Sequence, residues 1–338
     1  MGARVSGRNE ECIEILLMRF TFLLPAYKSI FLDEALQSIQ RQSFADFQVL
    51  ISDDCSPDNL KQICSPYLKD TRFTYRRNKE NMGRKSLVAH WNLLVSMCDT
   101  EFLILASDDD VYESHFLQEI DLLTKQYPDI ALFRARTQRV DETGKILSAE
   151  KLCLRYENPL QAMCSHFGEN RIHCIGNFIF RTDVLKSQGG FVDFPLAWFS
   201  DDATVLLCMN TGIVNTEHVS FSFRSSSFNI SNGQSPTKDN ARMKIEATKR
   251  FYYWFEVFKT RKICPQDLNE KKLYSILQNE VYERVKWQLL CYYPFIGGID
   301  KCKTQLWMYR NNLEDGNLFR FAKAVIISFI RFVRKYIC

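Results

Sequence analysis

The residues best suited to chemistry in this chain are three consecutive aspartates, Asp108, Asp109 and Asp110, called here the acid cluster. They follow an apolar run at residues 102–106, which predicts a buried strand that ends in negative charge. Adjacent carboxylates repel one another unless a cation holds them, and carboxylate oxygens suit Mg²⁺ or Mn²⁺. The cluster therefore predicts a divalent metal site. A solvated acidic turn that caps a helix starting near Tyr112 is the alternative.

The elements that must position this cluster are predicted by the hydrophobic pattern. Strands and helices alternate over residues 19–110, which predicts an α/β fold with a mostly parallel sheet and helices on both faces. The pattern indicates a strand over residues 19–24 that Pro25 ends, a strand over residues 47–52, and then a helix that Ser56 caps. Ligands of such sheets bind at the carboxyl ends of the strands.

Two other predicted strand ends bring polar or aromatic side chains to the edge where the acid cluster lies. Tyr27 follows the first strand and Asp53 follows the second. An aromatic ring can stack on a nucleotide base, and a carboxylate can accept a hydrogen bond from a base N–H. Since a metal would neutralise a diphosphate, this combination predicts a site for a nucleoside diphosphate.

Composition narrows the class of protein. The 338 residues are 46% hydrophobic, which suffices for a large core, and the net charge of +4 gives no argument for a nucleic-acid partner. The twelve cysteines show no CxxC pair, so we expect reduced thiols in a cytosolic protein. Neither a GxGxxG nor a GxxxxGK[ST] motif occurs, which argues against a dinucleotide-fingerprint dehydrogenase and a P-loop enzyme.

Five short segments resemble, in order and spacing, the inverting GT-A glycosyltransferases of family 2. They are Pro25-Ala26-Tyr27, residues 35–44, residues 49–56, Asn81-Met82-Gly83 and residues 107–110. The resemblance implies that Tyr27 and Asp53 hold the nucleotide base and that the acid cluster is the DxD metal site. We favour Asp108 and Asp110 as metal ligands, and we expect Asp109 to face the donor sugar. The resemblance extends the predicted donor site to Pro25, Asp54, Asn81, Gly83 and Arg84.

A second acidic pair, Asp201 and Asp202, follows Gly189-Gly190-Phe191 at the predicted start of a helix. Acidic residues favour a helix N-terminus, so capping alone explains one of the two. In family 2, a similar Gly-Gly-Phe segment precedes an acidic pair whose second member is the catalytic base. The resemblance thus implies that Asp202 is the base. The first acid of the pair is often Glu in the family but is Asp in this chain. Since the two aspartates can then exchange roles by a shift of one residue, Asp201 stays the alternative base.

Arg224 ends a short predicted strand and precedes a serine-rich loop. An arginine binds phosphate in a fork and is always charged, and the segment resembles the family segment that follows the base. Arg224 is therefore our predicted diphosphate contact. A surface arginine on an edge strand is the alternative.

The chain divides, by these patterns, into three parts. Residues 1–18 are expected to be a peripheral extension, with the functional domain starting near Met18. Residues 19–240 form the predicted GT-A domain, in which residues 19–110 bind the nucleotide and residues 111–240 carry the acceptor half and the base. Residues 241–338 are a predicted helical extension. Its last helix, residues 318–337, is basic and amphipathic, which favours a membrane surface over packing on the protein.

The sequence thus predicts a metal-dependent inverting glycosyltransferase with Mg²⁺ or Mn²⁺ and a nucleotide-sugar donor, UDP being the favoured carrier. The terminal helix points to a glycan or lipid-linked acceptor, to bacterial surface polysaccharide assembly, and to a cytoplasmic location on the inner face of the membrane. A non-catalytic nucleotide-sugar-binding scaffold and a nucleotidyltransferase that releases pyrophosphate are the alternatives.

Overall fold

The computed structural model describes residues 18–168, 171–229 and 236–313. The predictions for residues 1–17 and 318–337 fall outside these ranges. The strands are β1 (Phe20–Ala26), β2 (Phe47–Asp53), β3 (Phe73–Arg77), β4 (Phe102–Leu105), β5 (Val111–Tyr112), β6 (Leu132–Val140), β7 (Ile146–Ala149), β8 (Tyr156–Glu157), β9 (Phe178–Arg181) and β10 (Ile213–Arg224). The helices are α1 (Leu32–Gln40), α2 (Leu60–Cys64), α3 (Leu87–Met97), α4 (Phe116–Gln126), α5 (Pro159–Phe167), α6 (Thr182–Ser187), α7 (Ser200–Cys208), α8 (Lys238–Lys262), α9 (Leu268–Tyr292) and α10 (Gly298–Arg310).

The strands form one sheet in the order β3-β2-β1-β4-β9-β6-β10-β5, with β7 on β6 and β8 on β10. Strands β3, β2, β1 and β4 are parallel, and β6 is parallel to β10, while β9 runs antiparallel between β4 and β6. The α/β class with a mostly parallel sheet flanked by helices is therefore confirmed. The parallel half brings the carboxyl ends of β1, β2 and β4 to one edge.

Alternating side chains of β1 enter two separate hydrophobic clusters, one on each face of the sheet. Phe22 and Leu24 join a cluster with α1, α2 and α4, and Leu23 points to a cluster with α3. Phe251 of α8 and Leu277 of α9 are buried in the same cluster as Leu23. The helical extension thus shares the core of the sheet. No helix in the described ranges is long and apolar enough to cross a membrane.

Pro25 does not end the first strand, contrary to the prediction. It lies inside β1, where it pairs with Ser52 of β2. The carbonyl of Leu23 faces β4 and accepts from Ala106, so the nitrogen of Pro25 faces the same side, beyond the last residue of β4. The pairing of β1 with β4 ends at Leu23 and Leu105, so Pro25 lies past the paired residues of that ladder.

Several other boundaries were predicted wrongly. Helix α2 is short and is capped by Asn59, whose side chain accepts from Gln62, because the Ser56 hydroxyl instead donates to the Tyr27 carbonyl. A helix was expected to begin near Tyr112, but residues 111–112 form strand β5. Its pairing with the long strand β10 is a contact between distant segments that local pattern does not contain.

Candidate functional site

Asp108 joins the end of β4 to the end of β1. Its Oδ2 accepts hydrogen bonds from the backbone N–H of Tyr27 at 2.9 Å and of Lys28 at 2.7 Å. Burial raises the pKa of Asp108, while the charge of Lys28 opposes that shift. One oxygen of Asp108 is therefore committed to the backbone, which fixes the loop that carries Tyr27.

Asp109 is held by side chains alone. The Lys28 ammonium lies 2.7 Å from its Oδ2 and 3.4 Å from Oδ1 of Asp108, so one cation bridges two carboxylates. Burial by itself would lower the pKa of Lys28, but the two carboxylates outweigh it and the net shift is upward. These carboxylate oxygens therefore already bind a cation, the Lys28 ammonium.

Asp110 lies deepest in the acid cluster. Its Oδ1 accepts from the backbone N–H of Arg224 at 2.9 Å, and its Oδ2 lies 2.7 Å from the Ser107 hydroxyl. The same hydroxyl lies 2.7 Å from Asp109, and with one hydrogen it can donate to only one of them. Burial and the charge of Asp109 raise the pKa of Asp110 to about 7.

Arg224 is fully buried behind the acid cluster rather than on an exposed edge. Its Nε donates to the Asp109 carbonyl at 2.9 Å, its Nη2 lies 2.6 Å from a Glu34 carboxylate oxygen, and its guanidinium lies over the Phe31 ring at 4.4 Å. These contacts use the guanidinium to support the backbone of the cluster. Its role as a diphosphate contact stays a prediction.

The predicted base-binding residues divide into one exposed ring and one buried carboxylate. Tyr27 is 43% exposed at the strand edge, as a stacking platform requires. Asp53 is fully buried, and its carboxylate accepts from Tyr75 at 2.6 Å, Arg77 at 2.5 Å and the backbone of Ser56 at 2.8 Å. Asp53 thus organises the strand edge next to Tyr27, and Pro25 lies two residues before that ring.

Asp54 holds the polar loop that the resemblance assigned to the donor. Its carboxylate accepts from the backbone N–H of Met82 at 2.9 Å and of Gly83 at 2.7 Å. A Cβ on Gly83 would lie 3.0 Å from that carboxylate, so a side chain there is tightly restricted. Asn81 accepts from the N–H of Arg84 at 2.7 Å, and the Arg84 side chain is exposed. The loop is therefore fixed beside Tyr27.

Helix α7 begins after a strained loop. Leu196, Ala197 and Phe199 all have positive φ, at 58°, 55° and 66°. Non-glycine residues adopt this region only where the surroundings hold them. The carboxylate of Asp201 accepts from the N–H of Asp202 at 3.0 Å, and burial followed by the charge of Asp202 raises the pKa of Asp201 to about 7.

Asp202 differs from Asp201 in how its oxygens are used. His166 Nε2 lies 2.7 Å from its Oδ1, whereas in the described ranges nothing donates a hydrogen bond to its Oδ2. The side chain is 21% exposed. A carboxylate with one oxygen fixed and one open has the form that a general base requires.

Residues 173–176 link the two acidic groups. The ring of His173 lies 4.1 Å from that of His166, which contacts Asp202. The Gly176 carbonyl accepts a hydrogen bond at 2.9 Å from the hydroxyl of Tyr112, two residues after Asp110. Burial raises the pKa of the Cys174 thiol in this segment, and the charges of Asp110 and Asp201 contribute to the shift. The fold thus brings the acid cluster and the acidic pair of α7 to the same part of the molecule.

The acid cluster supplies only some of the ligands that a divalent ion needs. In the described part of the chain, no group of three or more His, Cys, Asp or Glu side chains is arranged to hold a metal by itself. Mg²⁺ is usually bound by one or two carboxylates together with substrate phosphates and water. The carboxylate pair around Lys28 supplies that smaller donor set.

Residues 21–189, half of the chain, match the sequence model described as Glycosyl transferase family 2. The chain belongs to glycosyl transferase family 2. This membership covers β1 to α6 and includes the acid cluster, and it confirms the resemblance to family 2.

Related proteins and structures agree with this membership. A poly(ribitol-phosphate) beta-N-acetylglucosaminyltransferase, TarS of Staphylococcus aureus (strain Mu50 / ATCC 700699), is 24% identical over 124 residues, 36% of this chain and 21% of TarS. An uncharacterized glycosyltransferase of Rickettsia felis is 26% identical over 132 residues, 39% of this chain and 21% of that protein. The matched stretch therefore spans about a fifth of the length of each relative.

Solved structures extend the likeness in fold beyond the matched sequence. S. aureus TarS 1–349 in complex with UDP-GlcNAc has a TM-score of 0.58 at 15% identity, over 88% of both chains. Mannosyltransferase PcManGT from Pyrobaculum calidifontis in complex with GDP-Man and Mn²⁺ has a TM-score of 0.51 at 14% identity, over 93% of this chain and 80% of that one. The family 2 chain described here thus has the GT-A fold of these glycosyltransferases.

Three residues of the site were not found from the sequence. Lys28 directly follows Tyr27, and a cation beside an aromatic at a strand end could have signalled contact with the acid cluster. Ser107 directly precedes that cluster. His166 had no local signal, because it lies 36 residues before Asp202 and reaches it only through packing.

Proposed function

We propose that this family 2 protein transfers a sugar from a nucleoside diphosphate donor to a hydroxyl acceptor with inversion, in a single displacement. The observation that carries the proposal is the open carboxylate of Asp202 near the buried acid cluster. Asp202 is suited to accept a proton, and the acid cluster is suited to bind a cation and, through it, a diphosphate. A sugar transferase needs both within one substrate length.

In this reaction, the acceptor oxygen bonds to the anomeric carbon while the bond from that carbon to the diphosphate oxygen breaks. The electron pair of that bond leaves with the nucleoside diphosphate, and the hydroxyl proton goes to Oδ2 of Asp202. Attack from the face opposite the leaving group inverts the configuration, so no covalent intermediate on the protein is needed. Tyr27 stacks on the base, beside the loop that Asp54 holds.

The carboxylates of Asp108 and Asp109 would hold Mg²⁺ or Mn²⁺. Oδ1 of Asp108 and Oδ2 of Asp109 already share one cation, the Lys28 ammonium. Asp110 lies further from this ammonium, with its Oδ1 on the Arg224 N–H and its Oδ2 near Ser107. A bound divalent ion would supply positive charge to the leaving diphosphate. The pair Asp108 and Asp110, which the sequence favours, is the alternative set of metal ligands.

The donor and acceptor classes follow from the related proteins. TarS structures contain UDP-GlcNAc and UDP, which supports a UDP-sugar as the first donor to test. The name of TarS specifies a poly(ribitol-phosphate) acceptor, which supports a polyol-phosphate or other surface-polysaccharide glycan. A peripheral position on the inner face of the membrane rests on residues 318–337.

The first experiment is a thermal shift with UDP, GDP and dTDP and with UDP-GlcNAc, each in Mn²⁺ and in chelator. A ligand that binds only the folded state raises the melting temperature by mass action. We expect UDP compounds to stabilise the protein in Mn²⁺ and much less in chelator. Asp109→Asn should remove the metal-dependent part of the shift, and an unchanged shift would contradict the metal assignment.

The second experiment measures UDP release from UDP-GlcNAc with poly(ribitol phosphate) as acceptor. Asp202→Asn should bind donor like the wild type and lose transfer by about a thousandfold or more. Asp239→Asn is the matched control, because its carboxylate is 82% exposed on α8. Transfer by Asp202→Asn at the wild-type rate would refute the base assignment. Donor binding without transfer by the wild type, with several acceptors, would favour a scaffold.

A further inference from the structure

A histidine from a distant helix contacts the proposed base. His166 lies near the end of α5, and its Nε2 is 2.7 Å from Oδ1 of Asp202 on α7. The histidine side chain is 2% exposed, and that of Asp202 is 21% exposed. In the described ranges, His166 is the only side chain that donates a hydrogen bond to this carboxylate. The contact therefore joins a buried histidine to the partly exposed carboxylate of the proposed base.

The chemistry of the pair fixes which ring nitrogen carries hydrogen. An ionised carboxylate only accepts hydrogen bonds, so Nε2 of His166 must be the donor. Burial lowers the pKa of His166, which the hydrogen bond to Asp202 only partly offsets, and the ring is neutral. Its Nδ1 is then the bare nitrogen, and within the described residues this buried atom has no hydrogen-bond partner.

A second histidine closes the far side of the pair. The ring centroids of His173 and His166 are 4.1 Å apart, and the His173 ring lies parallel to that of Phe178. Both nitrogens of His173 are buried without a partner among the described residues. Burial, followed by the proximity of His166, lowers the pKa of His173 well below its ordinary value. His173 therefore packs on His166 as a second buried ring and, among the described residues, offers it no hydrogen bond.

The charged and titratable groups that face this pair come from several elements. They are Asp201 on α7, Arg134 on β6, Arg171 and His173 before β9, and Arg284 on α9. Arg134 pairs with Glu150, and Arg171 pairs with Glu157. The two guanidiniums are thus each matched by a glutamate, and neither forms an ion pair with Asp202. A guanidinium on Asp202 would favour its charged form more strongly and would weaken it as a base.

We infer that His166 is a positioning residue for the base: it holds Oδ1 of Asp202 so that Oδ2 is presented to the acceptor hydroxyl. This inference rests on the proposed function. The hydrogen bond from Nε2 of His166 selects one rotamer of the carboxylate. The reaction itself is unchanged, because the acceptor proton still goes to Asp202.

The test compares variants that differ in the donor at the Nε2 position. His166→Phe keeps a ring in the pocket and removes the donor, whereas His166→Gln can place an amide N–H at the Nε2 position. We expect His166→Phe to lower kcat about tenfold to a hundredfold, with unchanged donor KM and unchanged UDP thermal shift.

His166→Gln should recover most of kcat. A structural role alone predicts similar kinetics for both variants once they are folded, and that result would overturn the inference. If His166→Phe does not fold, His166→Asn replaces it, because an asparagine amide is too short to reach the Nε2 position. Equal kinetics of the Asn and Gln variants would overturn the inference in the same way.

The failure of this inference is distinguishable from that of the proposed function. Activity in Asp202→Asn would refute the proposed base and, with it, any role for His166 through that base. Loss of activity in Asp202→Asn together with a wild-type kcat in His166→Phe would refute the positioning role alone. Circular dichroism and the melting temperature of each variant are measured alongside.

Discussion

The ring of Phe251 on α8 stacks face to face on Phe199, with centroids 4.3 Å apart and planes 8° apart. Phe199 has positive φ and immediately precedes Ser200, the first residue of α7. A helix far along the chain therefore packs against the turn that presents Asp201 and Asp202. The helical extension supports the site directly, since the turn has no side-chain cap of its own.

Phe251→Leu should affect catalysis more than overall stability. The substitution keeps an apolar side chain and removes the flat surface, so we expect a loss of about 1 kcal/mol in unfolding free energy. The rate kcat should fall several-fold while nucleotide affinity is kept, because the base moves and the donor site does not. Val257→Ala, at a position 48% exposed on the same helix, is the control for both measurements. A normal kcat in a destabilised Phe251→Leu protein would contradict this link.

Gly190→Ala should be strongly destabilising. Gly190 has φ +84°, and a Cβ there would lie 2.4 Å from Oδ1 of Asn92. That amide both accepts from and donates to the backbone of Phe191, at 2.7 and 2.9 Å. We expect a loss of about 2 to 4 kcal/mol in urea unfolding, from the backbone strain and the broken amide contact together.

Gly144→Ala isolates the backbone part of that loss. Gly144 also has φ +84°, but nothing lies within 4 Å of the position of its Cβ. Its substitution should cost about 1 kcal/mol. Equal losses at the two glycines would show that the Asn92 contact contributes nothing.

Lys28→Met should increase the dependence of stability on metal. The ammonium bridges Asp108 and Asp109, so its removal leaves two buried carboxylates without their side-chain cation. We expect a melting temperature several degrees lower in chelator and a larger rise on adding Mn²⁺ than in the wild type. Lys85→Met is the control, because that lysine pairs with Glu80 at an exposed position. The same Mn²⁺ increment in Lys28→Met and the wild type would argue that the metal does not replace the ammonium.

Asp201→Asn should stabilise the protein, and more so at high pH. Folding raises the pKa of Asp201 from 3.8 to about 7, so the folded state holds this proton more tightly than the unfolded state. The wild type therefore loses stability as pH rises from about 4 to about 7, and the isosteric amide does not. We expect the gain in unfolding free energy to be about 2 kcal/mol larger at pH 8.5 than at pH 5.5. Asp239→Asn should show no such difference, and an equal gain at both pH values would contradict the shifted pKa.

The sequence by itself determined which side chains lie at the carboxyl ends of the parallel strands. Apolar runs that lead to Tyr27, Asp53 and the acid cluster predict parallel strands, and parallel strands place their carboxyl ends on one edge. The fold class followed from the alternation of strands and helices together with the resemblance to family 2. The acidic pair at the start of α7 was visible because Gly189-Gly190-Phe191 precedes it, as a similar segment does in that family.

Only the tertiary structure decided how each of these side chains is used. Asp108 accepts from the Tyr27 backbone, Asp53 and Arg224 are buried in hydrogen bonds, and Asp202 has one oxygen free. Strand β5 and the full length of β10 likewise form by pairing between distant segments. Sequence pattern reports which groups reach the site edge, whereas burial and partners from elsewhere in the chain decide which carboxylate stays available. His166 contacts Asp202 only because the tertiary fold brings the end of α5 to the start of α7.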